Sequence, residues 1–469
     1  MPKTGVQTAI GVLATATCRA RWAGAAALAL LGAGSGLCSQ AEAPVSLRSE
    51  VLRLSQEARD AQQAGDHATY LERAERLTRI VPNNPRAWLA LARASALSGR
   101  PADAVRALKR LAAMGVGPDL DKEPDLGSLA GTPGFPGIQA ALAAHRVPVA
   151  NATVAFTIAD RELLTEGIAY DPRAQAFLVS SVHRGKALRL KAGAEPRNFA
   201  TSPREGFGLL ALAVDAERGS LWASSPALPQ VAGYRQQDKG RSCLVEFDLE
   251  TGRVRRTLDS PQGVGAVLGD IVAGPGGVIH ASDMAQGGLY VLRPGGAALE
   301  ALIQGEFLSP QGLAWSADRR WLFVADYVLG IACVDPQRGK VRFLEAPEDV
   351  ALYGIDGLIE AGTWLVGIQN GIEPNRVVAL RLDQAANRIL ELRVLDRAHP
   401  SFAEPTLGVR VGEDLYYVGA SQWGCFGDDG SVVHDRLLPP VILRTSLASL
   451  DDAEAPGASR GGGPRFPGK

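Results

Sequence analysis

Glu166, Asp270, Gln311 and Asp356 are the side chains best suited to do chemistry together. With Leu210 and Thr406 they form one series along the sequence, in steps of 44, 60, 41, 45 and 50 residues. If the six positions face a common axis, three carboxylates converge there. Converging carboxylates repel unless a proton or a cation separates them. Oxygen donors from Asp, Glu and side-chain amides suit a hard cation such as Ca²⁺ or Mg²⁺. A cation with open positions polarises a carbonyl or activates water. A hydrated polar channel with no ion is the other reading of the same residues.

Further side chains stand near the same strand ends. His183 follows the apolar run 177–182 and is the histidine best placed for proton transfer. Asn370 either reaches the channel mouth or forms a turn. Arg376 either grips a substrate carboxylate or phosphate, or makes a surface ion pair. Asp283 and Asp326 occupy equivalent strand ends, which reads as repeated turn chemistry, and His280 reads as a satisfied core residue. Trp423 lines a pocket or caps a hydrophobic edge. The sequence contains no phosphate-binding G-x-x-x-x-G-K-[ST] loop and no H-E-x-x-H zinc site. Its G-x-S-x-G match, Gly457 to Gly461, lies in the glycine-rich C-terminal tail and reads as chance.

The elements that must position these residues are short strands. Residues 309–335, SPQGLAWSADRRWLFVADYVLGIACVD, hold three apolar runs separated by turn residues, the grammar of antiparallel hairpins. The same grammar recurs from Glu166, Leu209, Gly269, Asp356 and Thr406. Four-strand repeats of about 40–50 residues are the signature of β-propeller blades. Six anchors predict six blades, with Ala152–Ala159 completing the last blade and closing the ring. Closure removes a long exposed sheet edge.

Composition and the flanks set the remaining bounds. The net charge of −1 gives no electrostatic reason to expect nucleic acid. Residues 1–43 combine Lys3, Arg19 and Arg21 with the apolar run AGAAALALL and an A-x-A pattern. They read as a signal peptide, so the expected location is periplasmic or secreted; the apolar run is short for a spanning helix. Cys18 and Cys38 belong to this leader. Cys243, Cys333 and Cys425 are too widely spaced for a zinc or disulfide framework and read as buried apolar residues, with one disulfide among them as the alternative in an oxidising compartment. Residues 44–149 hold a helical domain and its linker. Ala58/Ala92, Gly65/Gly99, Ala74/Leu108 and Leu77/Leu111 are each 34 apart, and the pattern resembles two tetratricopeptide repeats. Such a pair offers either a groove for a peptide or partner, or a lid on the propeller. Residues 114–137, rich in Pro and Gly, read as a linker in which Asp119, Asp121 and Asp125 are solvated turn residues. The propeller is expected over 150–448 and a disordered tail over 449–469.

Glu166-Gly167, Gln311-Gly312, the run Leu322 to Asp326, and Asp356-Gly357 resemble the gluconolactonase and senescence-marker-protein (regucalcin-like) family. That family consists of six-bladed, calcium-binding propellers. The resemblance implies a metal held by Glu166, Gln311 and Asp356. It also implies that Asp356 is a general base for water attack on a lactone or small ester. Asp270, Asn370, Arg376 and His183 are the candidates for substrate binding. Two positions depart from the family pattern. Gly269-Asp270 stands where it has Asn-Asp, and Gln311 replaces an asparagine, moving the amide oxygen by ~1 Å. The expected fold is mainly β, a six-bladed β-propeller preceded by a small all-α helical-repeat domain. The expected function is divalent-metal (Ca²⁺)-dependent hydrolysis. The alternative is a non-catalytic exported scaffold that binds a peptide, glycan or protein partner.

Overall fold

Six antiparallel sheets, each built on four consecutive strand positions, stand around one axis in the computed structural model, which describes residues 46–261 and 265–451. The leader expected over 1–43 and nearly all of the expected tail lie outside the described residues. The inner strands are Ile168–Asp171, Leu212–Asp215, Leu268–Ala273, Pro310–Trp315, Ile355–Ala361 and Gly408–Val411, for blades 1 to 6. Each inner strand touches the next around the ring, and the sixth touches the first. The ring is a six-bladed propeller. Its last blade takes its outer strand from the start of the domain, where Thr153–Thr157 pairs with Val441–Ser446. Val149–Ala150 adds a fifth strand to blade 5.

The strand composition follows from this stacking. Blades pack face to face, so second strands such as Ala176–Ser181, Leu322–Asp326 and Trp364–Gln369 are buried along their whole length. They read as continuous apolar runs rather than alternating ones. The outer strands Arg197–Thr201, Val254–Asp259 and Glu300–Ile303 are largely exposed and carry the polar residues. One apolar cluster fills each seam between neighbouring blades. Cys243 and Cys333 lie in two of these seams as free buried thiols, and Cys425 is a third, in a loop of blade 6.

Helices α1 (Leu47–Ala64), α2 (His67–Ile80), α3 (Pro85–Leu97) and α4 (Pro101–Ala113) precede the propeller, with α5 (Phe135–Ala144) after them. Their starts are legible in the sequence. The side chains of Ser46, Asp66 and Asn84 accept backbone N–H groups at the first three N-termini, and Pro85 and Pro101 open α3 and α4. Met114–Gly137 is more than the linker its composition suggests. It forms two short 3₁₀ turns whose Leu120, Leu126 and Leu129 are buried with α4 and α5. Prolines and glycines ended the α-helix there, but the leucines between them still had apolar surface to bury.

The helices dock on blades 4 and 5. The Asn83 side-chain amide donates to the carbonyls of Pro347 (2.8 Å) and Val350 (2.7 Å), and that of Asn84 donates to Val328 O (3.1 Å). Gly117 N–H donates to Glu373 O at 3.0 Å. One apolar cluster runs from Leu108, Leu111 and Met114 into Ala351, Tyr353 and Ile372 of the propeller.

Candidate functional site

The inner strands of blades 3, 4 and 5 are each interrupted by a register shift near the start. The shifts lie between Leu268 and Ile271, between Pro310 and Leu313, and between Ile355 and Gly357. Asp270, Gln311 and Asp356 sit in these interruptions. A bulge bends its strand and re-aims the side chain it carries. The glycines that follow Gln311 and Asp356 have a separate cause. A Cβ on Gly312 would lie 2.6 Å from Asp356 O, and one on Gly357 would lie 2.6 Å from Thr406 O. Inner strands approach too closely for a side chain there, so each acid- or amide-glycine pair couples a group aimed at the axis to a backbone contact between blades.

Serines on the second strands satisfy backbone groups where the inner strands leave the ladder. Ser180 Oγ accepts Gly167 N–H (2.7 Å) and donates to Leu210 O (2.6 Å). Ser224 Oγ accepts Ala211 N–H (3.0 Å) and donates to Gly269 O (2.7 Å). Ser282 Oγ accepts Asp270 N–H at 3.0 Å. Every buried backbone group needs such a partner. These three serines therefore fix the frame in which the acids sit.

Each acid is held differently. Glu166 is 2 % exposed, and its Oε2 accepts the Trp423 indole N–H at 2.6 Å. Its backbone carbonyl accepts the Thr406 hydroxyl at 3.0 Å. Asp356 is 1 % exposed, and its Oδ2 accepts the Asn370 amide at 2.6 Å. Asp270 is bound by backbone alone: its oxygens accept Ile271 N–H and Leu313 N–H, both at 2.8 Å. Asp270 is partly accessible, unlike Glu166 and Asp356, but protein atoms crowd its carboxyl. Burial pushes its carboxyl up to about 7, against the pull of the two N–H donors, and the charges of Asp356 and Glu166 push the same way. The three carboxylates are thus close enough to feel one another. Gln311 is 7 % exposed and its amide donates to Ser309 Oγ at 2.9 Å.

The remaining sequence candidates divide. Asn370 joins the carboxylates through Asp356. His183 stands apart, with Nδ1 2.6 Å from Gln230 O and its ring 5.0 Å from that of Phe426. Arg376 faces the helical domain. It is 1 % exposed; its Nε donates to Gln369 Oε1 (2.7 Å) and one Nη to Met114 O (3.2 Å). Burial pushes its guanidinium down to about 9. Asp283 and Asp326 accept backbone N–H groups from the loops around their strand ends. His280 lies in the core beside Trp315, but neither ring nitrogen has a partner, unlike the satisfied core histidine expected.

Two residues at the site carry more than the sequence assigned to them. Trp423 comes from the long loop 419–440 between the second and third strands of blade 6. That loop buries Trp423, Cys425 and Phe426 against Leu164, Val182, Leu210 and Leu228. Tyr327 donates its hydroxyl to Asn370 Oδ1 at 2.8 Å. Aligning the second strands of blades 4 and 5 would have found it, because Asp326 matches Gln369 and Tyr327 then matches Asn370.

Among the described residues, no group of three or more His, Cys, Asp or Glu side chains converges closely enough to hold a metal ion. Glu166 Oε2 and Asp356 Oδ2 already accept N–H donors. In this arrangement the donor set does not fit the cation implied by the family resemblance. An open cleft of about 570 Å³ lies away from the channel, between α2, α3 and α4, lined by Arg79, Trp88, Leu91, Ser95, Arg106 and Arg110, among others. No helix among the described residues is long and apolar enough to cross a membrane.

No family model matches this chain, and no curated protein matches its sequence. Solved propellers resemble it distantly. A gluconolactonase from Xanthomonas campestris is 14% identical with a TM-score of 0.43, over 60% of this chain and 86% of its own. Regucalcin, a calcium-binding protein from Agrobacterium tumefaciens, is 16% identical with a TM-score of 0.42, over 62% and 93%. An aldose sugar dehydrogenase from Streptomyces coelicolor in its PQQ-bound form is 16% identical with a TM-score of 0.44, over 63% and 98%.

Proposed function

We propose that the protein hydrolyses a lactone or small ester at its channel carboxylates, with Asp270 as the general base. The observation that supports this reading is the carboxyl of Asp270, raised to about 7 by burial beside two other acids. A base is most effective when its pKa lies near the working pH. Ionised Asp270 takes a proton from the water whose oxygen bonds to the substrate carbonyl carbon. The same proton then goes to the alkoxide released when the C–O bond breaks. Glu166 and Asp356, each held by an N–H donor, line the channel around the substrate. The test is a screen of lactones and esters across pH. Hydrolysis whose kcat/KM rises through about pH 7, with the inflection abolished in Asp270→Asn, supports the reading. A folded protein inactive on the whole screen sinks it.

The Ca²⁺ that the family resemblance implies is not needed for this reading, although a cation would relieve the repulsion that Asp356 and Glu166 exert on Asp270. It would require the acids to rearrange. The same reading has the leader removed on export and two tetratricopeptide-like helical pairs on the mature protein. The second reading is a binding scaffold, favoured by the cleft between α2, α3 and α4 with Trp88 and three arginines on its walls. Its ligand would be a protein or glycan.

A further inference from the structure

We propose that the helical domain is a working part of the channel site: it holds Tyr327 as a positioning residue, and Tyr327 fixes Asp356 through Asn370. The inference rests on the reading of the channel carboxylates as the site. It turns on the direction of a hydrogen-bond chain. The amide nitrogen of Asn370 faces two acceptors, Asp356 Oδ2 at 2.6 Å and Pro405 O at 2.9 Å. Pro405 O can only accept, so the nitrogen must point there and the amide oxygen must point away. That oxygen meets the Tyr327 hydroxyl at 2.8 Å, which leaves the tyrosine as the donor. Each member of the chain therefore has one permitted orientation. The hydroxyl satisfies the amide oxygen that the two acceptors turn away, so removing it leaves that oxygen without its donor and loosens the amide that holds Asp356.

The helical domain holds both members. The Tyr327 ring packs on the cluster that α4 and α5 share with the propeller, 5.6 Å from the ring of Tyr353. Arg86 of α3 covers the other ring, 4.9 Å from its centroid. The loop carrying Asn370 hangs from the segment after α4. Gly117 donates to Glu373 O at 3.0 Å, and Arg376, at the end of that loop, donates to Met114 O at 3.2 Å. Ile372 is buried in the same cluster. There is no spare room: a Cβ on Gly371 would lie 2.6 Å from the Tyr327 hydroxyl oxygen. A bare lid would need only apolar contact. Here the segment after α4 is tied to the loop of a residue that donates to Asp356 Oδ2.

The experiment is a carboxyl titration by NMR on full-length protein labelled at the Asp side-chain carbon, between pH 4 and 9. Asp270→Asn and Asp356→Asn assign the resonances. Tyr327→Phe removes the hydroxyl and keeps the ring. The expected result is a shift of at least half a pH unit in the Asp270 curve, which feels the charge of Asp356, with far-UV circular dichroism unchanged. Arg376→Met keeps the buried volume and removes the tie to Met114; it should shift the same curve in the same direction. Superimposable curves for Tyr327→Phe overturn the proposal. Curves that move for Tyr327→Phe but not for Arg376→Met overturn the part given to the helices. No substrate is used, so a failed hydrolysis screen and a failed titration are separate results.

Discussion

Two halves of one channel mouth are covered in different ways. Over blades 4 and 5 lies a separate domain, and the acid beneath it, Asp356, is reached by an amide and a phenol in series. Over blades 6, 1 and 2 lies loop 419–440 of the propeller itself, and the acid beneath it, Glu166, accepts an indole N–H amid apolar side chains. The blade frames below are alike. What differs is the residue just past each second strand, Val182 in blade 1 and Asn370 in blade 5, and what packs over it. A propeller fixes where its acids stand; the cover decides how each is held. The carboxylate of Asp270, in blade 3, accepts backbone N–H groups from Ile271 and Leu313 and is the one pushed up to about 7.

The sharpest break of this comparison is at Asp270. Asp270→Asn should lower kcat/KM for any hydrolysed substrate by ~100-fold or more, the usual scale for a general base. It should also change how stability depends on pH. The folded carboxyl titrates near 7 and the unfolded one near 3.8. Its contribution is fully present below about 3.8 and is lost as pH rises through about 7. Relative to Asp270→Asn, the native protein should therefore lose stability between pH 4 and 8, by up to about 4 kcal/mol. Parallel denaturant titrations of the two proteins would read this, and equal slopes would remove Asp270 as an unusual acid.

The two covers can then be opened one at a time. Trp423→Phe keeps a ring in the apolar loop but removes a donor to a buried carboxylate. Asn370→Ala removes the donor to Asp356. Each should cost about 1.5–3 kcal/mol, the scale of hydrogen bonds to charged groups. The comparison predicts different sites of damage. Hydrogen exchange should rise in loop 419–440 for the first and at the contact between helices and propeller for the second. A common pattern in both would mean that the two halves are one cooperative unit. The smallest effect should come from metal. Chelation followed by Ca²⁺ should move the melting temperature by less than about 1 °C. A cation at about 100 times its dissociation constant would instead add about 2.7 kcal/mol, and would show that the acids can rearrange around it.

The ring of blades was legible because stacked sheets impose short apolar runs and tight turns on every repeat. The positions of Glu166, Asp270, Gln311 and Asp356 at the starts of inner strands followed from that register, and bulges explain why Asp270, Gln311 and Asp356 interrupt otherwise apolar strands. What lay above the ring was not legible. Arg376 reads as a surface residue because a charge is seldom buried without a partner, and only the docked helices supply the carbonyls it donates to. Tyr327 falls among the turn residues that separate the apolar runs of 309–335, since its hydroxyl acquires a role only when blade 5 is beside it. Met114–Gly137 reads as a linker because its few leucines show no period, although a neighbouring helix suffices to bury them. Each of these depends on contacts between segments far apart in sequence, which local patterns do not carry.

The pairing of Thr153 with Arg444 spans roughly 290 residues, and a ribosome adding about 5–20 residues per second needs some 15–60 s to make them. Throughout that interval the emerging strand Thr153–Thr157 has no mate, and Val154 is an exposed apolar residue even after closure. The growing chain therefore carries an open edge at its front while five blades form behind it. Birth, rather than later life, is when this protein is most prone to pair with a stranger.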